Sequence, residues 1–133
     1  MIERLGTFLT KAQESVTGAR AELEAGRLNN SANRSYYAVF QAGIHALIME
    51  GIRPSGGGTE WSHAFVEAQF VGQLVNRRHI YETPLRPIIG QNRDLREAAD
   101  YAFESVAYIR TLRALQRAER FVKAIVDRQE ARR

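Results

Sequence analysis

The sequence predicts an all-α fold, a five-helix antiparallel bundle in a single domain covering residues 1–133. Apolar side chains recur at three- and four-residue spacing in segment after segment, no run alternates as a strand does, and glycines or prolines separate the periodic segments. At 133 residues and 44% hydrophobic content, the chain is long enough to bury a continuous core without cross-links. It has no cysteine, which excludes a disulfide, a cysteine nucleophile and a thiolate zinc site.

The first helix, 2–25, carries Leu5, Phe8, Leu9, Ala12, Val16, Ala19 and Leu23 on one stripe, and Gly26 is its stop signal. Asn29, Asn30 and Ser31 offer N-caps for a second helix through Tyr36, Tyr37, Phe40, Ile44, Leu47 and Ile48, ended by Gly51 before Pro54. This helix is apolar around most of its girth, so it is expected at the centre. Residues 55–59 read as a flexible loop. Their three glycines lack the following Gly-Lys-Ser/Thr and the preceding strand of a phosphate loop.

Thr59 is expected to cap a third helix, 60–76, with Phe65, Ala68, Gln69, Phe70 and Leu74 on its face and Arg77, Arg78 and His79 at its negative end. Pro84 and Pro87 suit a turn and the start of a fourth helix, 85–103. It carries Ile88, Ile89, Leu95, Ala98, Ala99 and Tyr101, with Gly90 as a point of kinking. The fifth, 106–129, is expected to bury Tyr108, Leu112, Leu115, Val122, Ile125 and Val126, with Arg110, Arg113, Arg117 and Arg120 in register on another face.

The net charge of +4 lies wholly in the second half: residues 1–66 hold six Lys/Arg and six Asp/Glu, residues 67–133 thirteen and nine. Such a half is compatible with RNA, DNA, a nucleotide or an acidic protein. Residues 1–11 contain charges and no long apolar run, so neither a signal peptide nor a membrane span is expected, and a cytoplasmic location follows. No metal or cofactor is expected.

The stretch Ser31-Ala32-Asn33-Arg34-Ser35-Tyr36-Tyr37-Ala38-Val39-Phe40-Gln41-Ala42 resembles the signature of HEPN domains, where a small residue precedes an Arg, a Tyr-Tyr-Ala and an aromatic. Further stretches follow in the right order: Gly51 to Pro54, Ser62-His63, Leu95-Arg96-Glu97-Ala98-Ala99-Asp100-Tyr101 and Phe121-Val122-Lys123-Ala124-Ile125. The resemblance is closest to stand-alone prokaryotic HEPN proteins, which are often paired with a minimal nucleotidyltransferase. It implies a homodimer that binds a nucleotide, RNA or a protein partner in a toxin–antitoxin or defence-type system.

Many HEPN proteins are ribonucleases that use an Arg and a His separated by four to six residues, the His as acid or base and the Arg on phosphate charge. The histidines here are His45, His63 and His79, and positions 38–40, 56–58 and 72–74 hold no arginine. The usual ribonuclease site is therefore absent, which favours a binding module. The alternative is a divergent metal-independent ribonuclease using Arg96 and His63, with Arg93 and Tyr101 in support. A purely structural oligomerisation domain is a third reading.

Several candidates have two readings. Arg34, Tyr37, Gln41 and His45 share one stripe of the second helix and suit a polar groove; alternatively Arg34 is pinned inside the bundle by a carboxylate, Asp100 being the candidate. Arg93 and Arg96 suit a phosphate, with Asp100 orienting one of them, or else Arg96 and Asp100 form an ordinary i,i+4 pair. His63 sits at a helix start, where free amides attract anions. Arg110, Arg113, Arg117 and Arg120, with Arg77 and Arg78, are candidates for a nucleic-acid surface or a solvated face.

Overall fold

A computed structural model of the chain describes residues 2–54, 60–101 and 106–132, and the side chains of all of these except 2–6 and 101. Among the described residues there are five α-helices and no strand: α1 (Ile2–Glu24), α2 (Leu28–Met49), α3 (His63–Gln69), α4 (Ile88–Tyr101) and α5 (Tyr108–Ala131). A π-helix, Phe70–Arg77, continues α3, and a 3-10 turn, Thr83–Leu85, precedes α4. No described helix is long and apolar enough to cross a membrane.

The second helix is central because little of its surface is polar. It touches α1, α3, α4 and α5, and its residues from Ala38 to Ile48 are almost all buried. Small residues let the neighbours approach: a Cβ on Gly43 would stand 3.0 Å from Val66 of α3. Around it pack Phe70, Leu74, Leu85, Phe121 and Ile125, all wholly buried. Each such apolar side chain contributes about 1.5–3 kcal/mol. Gly26 and Gly51, at φ +79° and +80°, end α1 and α2 in the left-handed conformation that favours glycine.

The buried polar groups of α2 are tied sideways to the outer helices. Ser31 Oγ donates to Ala19 O (2.7 Å), and the fully buried His45 meets Gln129 Oε1 through Nε2 (2.6 Å). The Gln41 amide, oriented to satisfy its neighbours, donates to Ser15 Oγ (2.7 Å) and to the carbonyls of Lys11 and Tyr37 (3.1 Å each). Asn92 of α4, also fully buried, donates to Ser35 O (3.3 Å) and Ala114 O (3.1 Å) and accepts from Arg117 Nε (2.8 Å), joining α2, α4 and α5.

Several local expectations are corrected. The α2 N-terminus has no side-chain cap: Ser31 is spent on α1, and Asn29 Oδ1 accepts from Val106 N (3.4 Å). Ser62 caps α3, its Oγ accepting from Phe65 N at 3.1 Å, while the expected cap Thr59 and the glycine loop lie outside the described residues. The third helix becomes a π-helix at Phe70, which brings Phe70, Leu74 and Val75 all into the core. Pro84 sits in the 3-10 turn and α4 begins after Pro87, so Gly90 falls in its first turn. Tyr108 is 54% exposed, because Val106 instead fills the corner formed by Ala32, Leu95, Ala99 and Ala114.

Replacing Asn92 with Ala removes two buried hydrogen bonds and a part-buried one from Arg117 and opens a small void, at a cost of about 2–4 kcal/mol. The urea midpoint of Asn92→Ala should fall accordingly with the m-value unchanged. An unaltered midpoint would show that the amide does not hold the three helices together.

Candidate functional site

The site begins with an aromatic ledge on α2. Tyr36, Tyr37 and Phe40 occupy neighbouring positions, with Tyr36 wholly buried and Tyr37 and Phe40 half-buried. The Ser62 cap makes His63 the first residue of α3 and sets its ring on this ledge. The imidazole stacks on Phe40 (centroids 4.5 Å, 24°) and on Tyr36 (5.3 Å, 19°) and meets Tyr37 edge-on (6.3 Å, 82°). Its ring is thus covered by aromatic neighbours while the residue as a whole remains exposed.

The Tyr36 hydroxyl lies 2.5 Å from His63 Nδ1. Burial pushes the Tyr36 phenol up to about 12, so it remains protonated, and its hydroxyl can donate to Nδ1 or accept from Nδ1–H according to the tautomer of the ring. Where the hydroxyl donates, Nδ1 is the acceptor and the neutral ring carries its proton on Nε2. Partial burial, followed by the nearby charges of Arg96 and Arg93, holds His63 below its ordinary value of 6.5.

Arg96 of α4 closes the arrangement. Its guanidinium carbon lies 5.4 Å from the ring centroids of both Tyr36 and Tyr37, a cation–π contact with each. The side chain is 21% exposed, and the Asp100 carboxylate stands 3.5 Å from Nε. That distance marks an ion pair, yet the buried Nε makes no hydrogen bond.

Arg93, one turn earlier, is paired with Glu67 of α3 and lies 3.5 Å from Asp94. The Glu67 carboxylate lies close over Gly90, where a Cβ would stand 2.8 Å from Oε2. The site therefore joins Tyr37, His63, Arg93, Arg96 and Asp100 and adds Tyr36, read from the sequence only as a position of the second helix's apolar series, and Glu67, which periodicity and spacing did not single out. Gly90, expected as a kink, was the available signal for Glu67.

Other candidates lie elsewhere. Arg34 is exposed, its chain running across Gly18 of α1, with Cδ and Nη1 3.4 Å from where a Cβ would stand. It reaches solvent by this route and is not pinned inside the bundle; Asp100 forms its ion pair with Arg96 instead, although Arg34 and Asp100 line one surface pocket with Glu22 and Asn33. Gln41 and His45 are engaged with α1 and α5, so the expected polar groove along α2 does not form. The Tyr101 side chain lies outside the described residues.

The basic residues divide as well. Arg78 Nη1 donates to Glu50 O at the end of α2 (3.1 Å), and Arg120 pairs with Glu82 (2.8 Å). Arg77 is exposed at the end of the π-helix. Arg110 and Arg113 are exposed, whereas Arg117 is half-buried on Asn92. Among known proteins, no family model and no curated protein matches the chain.

His63 should titrate with a midpoint below 6.5 by NMR, moving back toward that value in Arg96→Gln as one repelling charge is removed. The unfolded chain binds the proton first, so this group's contribution to stability is complete above about pH 6.5 and is lost as pH falls through the lower folded value. A midpoint at or above 6.5 would contradict the geometry described.

Proposed function

We propose that this chain is a HEPN-like binding module that takes a phosphate group of RNA or of a nucleotide at Arg96 without cleaving it. The carrying observation is Arg96 itself: a largely buried guanidinium, oriented by two tyrosine rings, whose Nε lacks a hydrogen-bond acceptor. Planar guanidinium groups suit phosphate because their N–H groups match two oxygens at once. Arg93 adds positive charge, and a neutral His63 adds an Nε2–H donor across the ring from Tyr36.

That tautomer favours binding over cleavage. A general base must present a lone pair to the RNA 2′-hydroxyl, and where Tyr36 donates to Nδ1 the outer nitrogen is a donor. One observation favours the ribonuclease reading: His63 and Arg96 lie against the same tyrosine within one chain. If the Tyr36 hydroxyl instead accepts from Nδ1–H, Nε2 becomes a base and Arg96 stabilises phosphate charge. Resemblance to HEPN proteins adds a homodimer, a minimal nucleotidyltransferase partner and a toxin–antitoxin or defence setting to the proposal.

The test is titration of a short labelled single-stranded RNA and, separately, ATP at low salt, with the RNA also checked for cleavage. Arg96→Ala should weaken binding about tenfold or more, as expected for loss of a charged hydrogen-bonding group. If the wild-type protein binds neither ligand, the binding module is ruled out. Cleavage abolished by both Arg96→Ala and His63→Ala would put the ribonuclease in its place.

A further inference from the structure

A second cationic pocket lies against α5 on another flank of α4. Gln91, Asp94 and Leu95 form its α4 side, Arg110, Arg113 and Arg117 its α5 side, around a volume of about 320 Å³. Helical spacing separates the two sites: positions 93, 96 and 100 share one side of α4, and 91, 94 and 95 share another. On α5, positions 110, 113 and 117 follow i, i+3 and i+7, so three guanidinium groups face one opening.

The pocket has a rigid foundation. Arg117 Nε donates to Asn92 Oδ1 at 2.8 Å, and the fully buried Asn92 is itself held by the carbonyls of Ser35 and Ala114. One edge of the guanidinium is therefore fixed, while its terminal nitrogens have no acceptor among the described residues. None of the three arginines forms an ion pair among the described residues. Asp94, the carboxylate in the wall, is turned to Arg93 at 3.5 Å.

Uncompensated repulsion is the consequence. Burial, then the charges of Arg110 and Arg113, push the Arg117 guanidinium below its ordinary value. Arg20, Arg120 and Lys123, by contrast, are each neutralised by a carboxylate. An anion entering the pocket would relieve this repulsion, and a bidentate acceptor fits the pre-oriented Arg117.

We propose that Arg110, Arg113 and Arg117 form a second phosphate-binding site, separate from Arg96, for a phosphate of an RNA backbone or of a free phosphate compound. Arg117 provides the fixed anchor, and the exposed Arg110 and Arg113 close on neighbouring oxygens. The site does not depend on the binding role assigned to Arg96.

Inorganic pyrophosphate and a short labelled single-stranded RNA distinguish the two sources. The background is Arg96→Ala, checked for an unchanged helical circular dichroism spectrum, so that remaining binding reports on this pocket. Adding Arg110→Ala and Arg113→Ala, both exposed and tolerable to the fold, should weaken that binding about tenfold or more. Pyrophosphate binding abolished in this way identifies a free phosphate compound. If only RNA responds, its salt slope should fall by about 0.7 for each phosphate that the variant no longer neutralises, identifying the backbone. In the wild-type protein, the bound ligand should also shift the Arg117 Nε–H resonance. If the Arg96→Ala protein binds neither probe and that resonance stays still, or if the added substitutions change nothing, the proposal is wrong.

Discussion

The structure depends on one constraint: α2 is enclosed by four other helices and, past its exposed Asn29, Asn30 and Arg34, has little surface on which to leave a polar group in water. A buried hydroxyl, amide or imidazole without a partner costs about 1–3 kcal/mol. The helix meets this requirement by reaching outward, through Ser31 to α1, Gln41 to α1, His45 to α5 and Tyr36 to His63. Each bond satisfies a buried group and also fixes how an outer helix sits. Ser35 Oγ is the exception, fully buried with no partner, although the carbonyl of the same residue accepts from Asn92.

The same constraint organises α4. Asn92 anchors it to α2 and α5 from within, so its remaining faces present charged side chains on either side. Toward α2 and α3, Arg93 and Arg96 meet carboxylates and aromatic rings. Toward α5, the Asn92 amide orients Arg117 among other arginines. A buried amide that joins three helices thus also determines where cations stand, and packing and electrostatics cannot be varied independently at this position.

Carboxylates compensate many of the cations, including Arg93 and Arg96, but not Arg110, Arg113 and Arg117 among the described residues. Glu50, with its side chain 8% exposed, receives Arg128 at 3.2 Å and Arg132 at 3.1 Å, while Arg78 and Arg132 donate to the last carbonyls of α2. These positive groups lie at the negative end of the helix dipole. The exposed pairs Arg120–Glu82 and Lys123–Asp127 contribute little to stability in water, but they use up positive charge. Beside α4, Arg110, Arg113 and Arg117 keep their charge without such a pair among the described residues.

The sequence by itself determined that the chain is helical, that α2 is central, and where α1 and α2 stop. These follow from local causes: apolar periodicity, the lack of a polar face between Ala38 and Ile48, and glycines at Gly26 and Gly51 free to take positive φ. It also singled out Tyr37, His63, Arg93, Arg96 and Asp100, because their residue types and helical spacing are visible in one dimension. Only the tertiary structure decided how charged and polar residues pair: Arg34 runs over Gly18 to solvent, Asp100 faces Arg96, and Glu67 enters beside Gly90 to meet Arg93. Tyr36 and Asn92 gained their roles in the same way. Periodicity defines the faces of a helix, but the partner of a long side chain depends on which helix lies opposite and how closely its backbone approaches.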